Sequence, residues 1–289
     1  MSTQQLSVFD RSGMAALSDL QTKEWKESFT LLEQEQSAFL SKESTFRSPE
    51  YKWPSDSLHN WSRVWEYPYV YHHLNISRNK FGQMPHIVDL GSGVTFFPFS
   101  VAKLGYHLTC ADIDPICEKD LSKAIRCVDH EPGKIDFRLI HENRLPFSDG
   151  EADGVYCISV LEHIPEFENT ISEIARILKP DGFFLLTVDL DLRGDLELGI
   201  EAHKRLNITL NKHFDYLMPQ TIIHPKNILH SYSGPCAIPQ SSGFNFAWTF
   251  FKQRIAKPLL GRKPGVLAPY HLTIQSFVMK KGLPAIEPV

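Results

Sequence analysis

From His86 to about Leu192 the chain alternates short apolar runs with amphipathic stretches. "HIVDLG", "YHLTCAD", "KIDFRLIH", "ADGVYCIS" and "FFLLTVDLDL" are rich in β-branched and aromatic residues and are bounded by turn formers, the pattern of buried strands. "FFPFSVAKLG" reads as a helix with Pro98 in its first turn. "PEFENTISEIARIL" reads as another, with Phe167, Ile171, Ile174 and Leu178 on one face, and "KPDG" as the turn that follows. This rhythm predicts an α/β fold: a Rossmann-like, doubly wound, seven-stranded and mostly parallel sheet with helices on both faces. Later runs near "FNFAWTFF" and "HLTIQSFVMKK" complete the seven. "GDLELGIEAHKRLNITLNKHFDYLMPQ" breaks the rhythm and is too long for a simple connection, so a helical insertion after the fifth strand is expected over about residues 193–243.

The first eighty residues follow another pattern. Residues 1–20 read as a flexible tail, 21–80 as a helical cap or lid, and 81–289 as the sheet-bearing domain. From Asp19 a helical period brings Trp25, Phe29, Leu32 and Phe39 near one face. Tyr51–Leu74 is dense in Trp and Tyr. It either packs as a cap on the main domain or lines an acceptor pocket, with Arg63, Trp65, Tyr67 and Tyr69 as candidate lining residues.

Composition narrows the function classes. Hydrophobic residues make up 42% and charged residues 22% of the 289, ordinary values for a packed globular chain. A net charge of -4 argues against a partner such as nucleic acid that needs a broad basic surface. No apolar run approaches the roughly 18 residues of a membrane span. The start of the chain lacks the basic and apolar regions of a signal peptide. Five cysteines without a C-x-x-C pair favour reduced thiols in a cytoplasmic setting and give no metal frame.

The chemistry concentrates in "HIVDLGSGVTFFPF". Open α/β sheets bind ligands beyond the carboxyl ends of their strands, and Asp89-Leu-Gly91-Ser92-Gly93 is delivered to that place. Gly91 permits a tight turn and Gly93 a close approach of ligand to backbone. Asp112, at the end of the second strand, is placed to accept from both hydroxyls of a ribose. A dinucleotide site would carry a third glycine where Phe96 stands, and no P-loop sequence occurs. An acid two residues before the first glycine repels a pyrophosphate and suits a ligand with a positive amino group.

With "LPFSDGEADGVYCISVLEHIP" and "ILKPDGFFLLT", these residues resemble the class I S-adenosylmethionine-dependent methyltransferases, most closely those acting on small molecules. The resemblance covers Pro85–Val188 well and the N-terminal segment hardly at all. It implies that Asp89, Gly91, Ser92 and Gly93 hold the methionine end of S-adenosylmethionine, that Asp112 holds the ribose, and that Ile113 packs on the adenine. His141 stands where the family often has an adenine-binding Asp, which makes Glu142 and Asn143 substitutes for that role. Ser159, after the fourth strand, completes the implied cofactor site. Thr95 holds a position often given to glycine.

A sulfonium methyl needs a nucleophile aligned behind it, and a hydroxyl nucleophile also needs a base. "LEHIP" offers His163 with Glu162 beside it, although the same residues can cap the following helix. The Asn/Asp-Pro-Pro-aromatic sequence of base-methylating enzymes is absent, and the Pro235-Cys236 pair follows the wrong strand for a cytosine-C5 nucleophile. Asp189, Asp191 and Asp195 alternate as solvated strand-end acids do, so no metal is expected. The expected activity is methyl transfer to an oxygen or nitrogen of a small molecule, such as a sugar or another biosynthetic intermediate, leaving S-adenosylhomocysteine. A peptide or protein acceptor, and a non-catalytic cofactor-binding partner protein, remain alternatives.

Overall fold

The structure, a computed structural model, describes residues 7–141, 144–191, 197–239, 251 and 271–282. Among them, nine strands form one sheet: β1 (Ser12–Met14), β2 (His86–Leu90), β3 (His107–Asp112), β4 (Lys134–Leu139), β5 (Ala152–Ile158), β6 (Leu178–Asp191), β7 (Phe214–Tyr216), β8 (Gln220–Thr221) and β9 (Leu272–Lys281). Their order is β4-β3-β2-β5-β6-β9-β1-β8, and β7 also pairs with β9. From β4 to β6 all neighbours are parallel, and β9 returns antiparallel to β6. The chain winds outward from β2 to β4 and then restarts on the other side of β2 with β5. The crevice of a doubly wound sheet therefore opens between the carboxyl ends of β2 and β5.

Both faces are covered. On one lie α1 (Lys23–Leu40), α2 (Glu43–Phe46), α3 (Arg63–Ser77), α4 (Phe97–Ala102) and α5 (Pro115–Cys127); on the other lie α6 (Phe167–Ile177) and α7 (Ile200–His213). β6 shows the consequence of strand alternation. Phe183 and Leu185 enter the first core, while Phe184, Leu186, Val188 and Leu190 enter the second. A strand apolar on both sides is what a sheet buried on both faces requires.

Several expectations need correction. Residues 7–20 are not a loose tail: β1 pairs with both β9 and β8, and Phe9 and Ala15 are wholly buried. The Ser12 hydroxyl accepts from Val278 N–H at 3.0 Å, and the Ser276 hydroxyl donates to Gly13 C=O at 2.9 Å. A three-residue strand is too short to show a period, and both its partners lie more than 200 residues away in sequence. β1, β7 and β8 raise the count above seven for the same reason. Lys179–Gly182 lies within β6, with Asp181 in the left-handed region at φ 61°, and is not a turn between elements. Among its described residues the insertion carries one α-helix, α7, followed by the short strands β7 and β8 and a single 3-10 turn at Pro225–Asn227. "FNFAWTFF" lies outside the described residues apart from Phe251.

The aromatic stretch is core. Trp65 stacks on Tyr69 at 4.5 Å, and Phe9 meets both edge-on at 6.1 and 6.0 Å. Trp65 Nε1 donates to Asp19 and the Tyr69 hydroxyl to Arg11 C=O, each at 2.7 Å. These two rings, proposed from sequence as pocket lining, are sealed at 0% exposure and cannot line an open pocket. His73 is buried with its Nε2 2.9 Å from Phe9 C=O, and His72 sits between Asp10 and Glu24, so this histidine pair ties the first described residues to α1 and α3.

α3 also carries Pro68 in its interior. A proline there leaves the carbonyl four residues earlier without its helical donor. That carbonyl belongs to Val64, and the Trp25 indole N–H of α1 donates to it at 2.7 Å. Trp25→Phe keeps the ring's bulk but orphans this buried carbonyl, so it should lower stability by about 1–3 kcal/mol in urea unfolding. A change within measurement error would show that the indole is not what permits Pro68.

Candidate active site

The carboxyl end of β2 turns sharply. Gly91 and Gly93 both lie in the left-handed region, at φ 74° and 54°. A Cβ on Gly91 would sit 2.5 Å from Val160 Cγ2, so the loop passes hard against the segment leaving β5. A Cβ on Gly93 would sit 3.0 Å from the Tyr51 hydroxyl. Tyr51 accepts from Val94 N–H at 2.9 Å, while Arg47 stacks on the Tyr51 ring and donates to Val94 C=O. The N-terminal segment thus fixes the far side of the glycine loop, a role that nothing in its sequence announces.

Asp112 ends β3 and organises the same loop. Its Oδ2 accepts from Gly93 N–H at 2.9 Å and its Oδ1 from Asp114 N–H at 3.0 Å. A carboxylate has about four acceptor sites, so two remain for a ligand's hydroxyls. Ser92 is buried, with its hydroxyl on Gly93 C=O. Ile113 projects beyond the loop, 75% exposed. Glu142 and Asn143 lie outside the described residues, between His141 and Arg144, which bridge one another. An open cleft of about 420 Å³ runs past His141 and Arg144 to Phe147.

Asp89 is buried at the turn with the Tyr156 side chain beside it. Burial pushes its pKa up to about 8, against the Tyr156 contact that lowers it, and nearby Asp112 raises it further. A carboxyl held protonated at neutral pH beside an open glycine loop is a group waiting for a positive charge.

A second constellation lies across the crevice, where α3 meets the ends of β5 and β6. Ser159 follows β5 at φ 47°, unusual for a residue with a side chain. Its hydroxyl donates to Glu66 at 2.7 Å and accepts from Arg63 Nη1 at 2.7 Å, and Arg63 also pairs directly with Glu66. Glu66 is fully buried. Glu162 reaches the same place, its Oε1 accepting from Asp189 N–H at 2.9 Å. Burial drives the Glu162 pKa up to about 8 and holds Asp189 well above the carboxylate range, with Glu66 adding repulsion to both.

The candidates therefore divide. Asp89, Gly91, Ser92, Gly93 and Asp112 share one loop system. Ser159, expected there, is engaged by Arg63 and Glu66 instead. Of the pair in "LEHIP", Glu162 points inward, whereas the His163 side chain is 58% exposed and bonded through Nδ1 to Glu197 at 3.2 Å. Tyr67 is buried and stacked on Phe97 at 4.5 Å, with the Arg63 guanidinium 5.9 Å from its ring, so Arg63 is the member of the expected set that bonds to the crevice residues Ser159 and Glu66. Glu66 and Asp189 were not legible as partners. Glu66 sits in an ordinary three-residue spacing from Arg63, and Asp189 resembles its solvated neighbours in sequence.

The sequence profile of a family described as "Methyltransferase domain" matches residues 88–186, from the heart of β2 to β6. That stretch holds the glycine loop, Asp112 and both strand ends at the crevice. Over these residues the chain is similar to that methyltransferase domain. Ubiquinone biosynthesis O-methyltransferase of Xanthomonas oryzae pv. oryzae is 33% identical over 106 residues, 36% of this chain and 43% of its own length. The protein of the same name from Dechloromonas aromatica is 30% identical over 132 residues, 45% of this chain and 56% of its own. The chain thus spans only about half the length of those curated relatives. A solved S-adenosylmethionine-dependent methyltransferase from Aquifex aeolicus aligns over 82% of this chain and 97% of its own, at 11% identity and a TM-score of 0.42. Among the described residues, no helix is long and apolar enough to cross a membrane.

Proposed function

We propose that the protein transfers the methyl group of S-adenosylmethionine to an oxygen or nitrogen of a small-molecule acceptor, releasing S-adenosylhomocysteine. The observation that carries this reading is the buried Asp89 beside a positive-φ glycine turn that is tied to Asp112 at the end of the next strand. The cofactor, when bound, supplies the electrophilic sulfonium methyl. The residues fit it at each end. Asp89 would accept from the α-ammonium, Asp112 has acceptor capacity left for a ribose, and exposed Ile113 offers an apolar surface to adenine. The cleft at His141 is where the adenine edge would be read, with Glu142 and Asn143 in reach by sequence.

The acceptor side would be the crevice under α3. Glu162 replaces His163 as the candidate base, because it is the inward member of the pair and its elevated pKa matches removal of a proton near neutral pH. Alignment of acceptor and methyl group is the protein's main contribution. The small-molecule class is supported by the names of the relatives.

Calorimetric titration with S-adenosylhomocysteine and NAD tests the cofactor. S-Adenosylhomocysteine should bind and NAD should not. Because the ligand's ammonium favours ionised Asp89, the association constant should climb as pH rises toward about 8 and level above it. Asp89→Asn should flatten that rise. Equal binding of NAD, or no binding of S-adenosylhomocysteine, would remove the reading.

A further inference from the structure

The crevice under α3 has an unusual accounting of donors and acceptors. Arg63 is the sole cation that reaches the cluster among the described residues, and its charge is matched by Glu66. The Ser159 hydroxyl spends its one donor on Glu66 and accepts from Arg63. Two more carboxyl groups, Glu162 and Asp189, then share the space. Each has one oxygen that is shielded from solvent and has no hydrogen-bond partner: Oε2 of Glu162 and Oδ1 of Asp189. Thr187, wholly buried two residues before Asp189 and so on the same face of β6, also has an unpartnered hydroxyl. Buried polar atoms are almost always paired, so three orphans on one wall indicate a place built for something that brings donors.

We propose that this cluster recognises the methyl acceptor, and that the acceptor carries a protonated amine. The inference rests on the methyltransferase reading and names the substrate class of that same crevice. Charge and donor number both select an ammonium. Arg63 and Glu66 cancel. Glu162 and Asp189 are joined through the Asp189 N–H and each is disfavoured as an anion by burial, so the pair can share one proton and keep one negative charge, which a single ammonium neutralises. Its three N–H donors can serve Oε2, Oδ1 and a third acceptor such as the Thr187 hydroxyl. An alcohol brings one donor and no charge, leaving a buried oxygen unpaired. A carboxylate or phosphate meets two acids. A vicinal diol brings two donors but leaves the shared charge unbalanced.

Binding must also move a proton. Where the free cluster holds both acids protonated, an arriving ammonium displaces one proton, which leaves to solvent. The groups that face the pair are Arg63 and Glu66 on α3, Cys157 on β5, and Glu197 before α7. None of them is a free cation able to do the ligand's work.

The test is calorimetric titration of the S-adenosylhomocysteine-loaded protein with benzylamine, benzyl alcohol and catechol, in two buffers of different ionisation enthalpy. Benzylamine should bind at least about tenfold more tightly than either neutral probe and should release close to one proton. Glu162→Gln and Asp189→Asn should each weaken benzylamine by about tenfold or more, while S-adenosylhomocysteine affinity stays within about twofold, which also shows that the variants are folded. Comparable binding of benzyl alcohol or catechol, no saturable heat from benzylamine, or undiminished benzylamine binding by both variants would overturn the proposal. If S-adenosylhomocysteine itself fails to bind the parent protein, the cofactor reading has failed, and this inference falls with it.

Discussion

Asp112→Ala should weaken S-adenosylhomocysteine binding by at least about 100-fold. The carboxylate does two jobs at once. It accepts from Gly93 N–H and Asp114 N–H, holding the glycine loop and the turn after β3, and in the proposed function it is also the acceptor offered to the ribose. Hydrogen bonds to a charged group contribute about 1.5–3 kcal/mol each, and 1.4 kcal/mol is a factor of ten, so losing two ligand contacts alone reaches that range. Asp112→Asn separates the jobs. Its remaining carbonyl oxygen can still accept from Gly93, but one oxygen becomes an amide donor and the charge is lost. The asparagine variant should therefore keep the parent's unfolding midpoint while still losing most of the affinity. If Asp112→Ala binds S-adenosylhomocysteine within a few-fold of the parent, Asp112 only shapes the loop and the ribose is read elsewhere.

The loop was legible in the sequence because its physics is local. A strand that must be apolar on both faces, a turn that only glycine can make, and an acid one strand further on are each set within a few residues of chain. Gly91 is a good case: a side chain there would collide with Val160, yet the glycine is recognisable without knowing what it avoids. What could not be read depends on distant partners. β1 exists because β9 offers an edge, and nothing in "SGM" says so. Pro68 looks like a helix breaker until Trp25 is seen to satisfy the carbonyl it strands. Trp65 and Tyr69 advertise a binding pocket by composition, but Phe9, from a stretch that reads as a tail, closes over them.

The acids under α3 show the same limit at the site itself. "LEH" points to a histidine by its chemistry, since an imidazole has the ordinary pKa for base work. The fold reverses the preference by leaving His163 in solvent and placing Glu162 among Glu66 and Asp189, where burial brings a carboxyl into the useful range. Three acids from α3, the turn after β5, and β6 form one electrostatic unit only because Ser159 takes a left-handed conformation and brings α3 against the strand ends.

That unit should fail most severely through Glu66. In Glu66→Ala the Arg63 guanidinium loses its matched partner and the Ser159 hydroxyl loses its acceptor, while the positive φ of Ser159 persists without the bond that helps hold it. Breaking a buried pair by removing one member costs about 3–5 kcal/mol, so urea unfolding should show a loss of that size at neutral pH. Glu66→Gln keeps an acceptor for Ser159 and should lose less. The pH dependence identifies the cause. In the parent, the Glu162 pKa in the fold lies at about 8, above its unfolded value of 4.5, so the folded state holds a proton that the unfolded state has released. Its contribution is fully present below the unfolded value and declines as pH climbs toward about 8, and parent stability should fall across that window. With Glu66 gone, Arg63 is left to Glu162 and Asp189, which then ionise more readily, and the fall should become shallower. A uniform loss at all pH values would mean that Glu66 acts through packing alone, and a loss below about 1 kcal/mol would mean that Arg63 is already held by the other two acids.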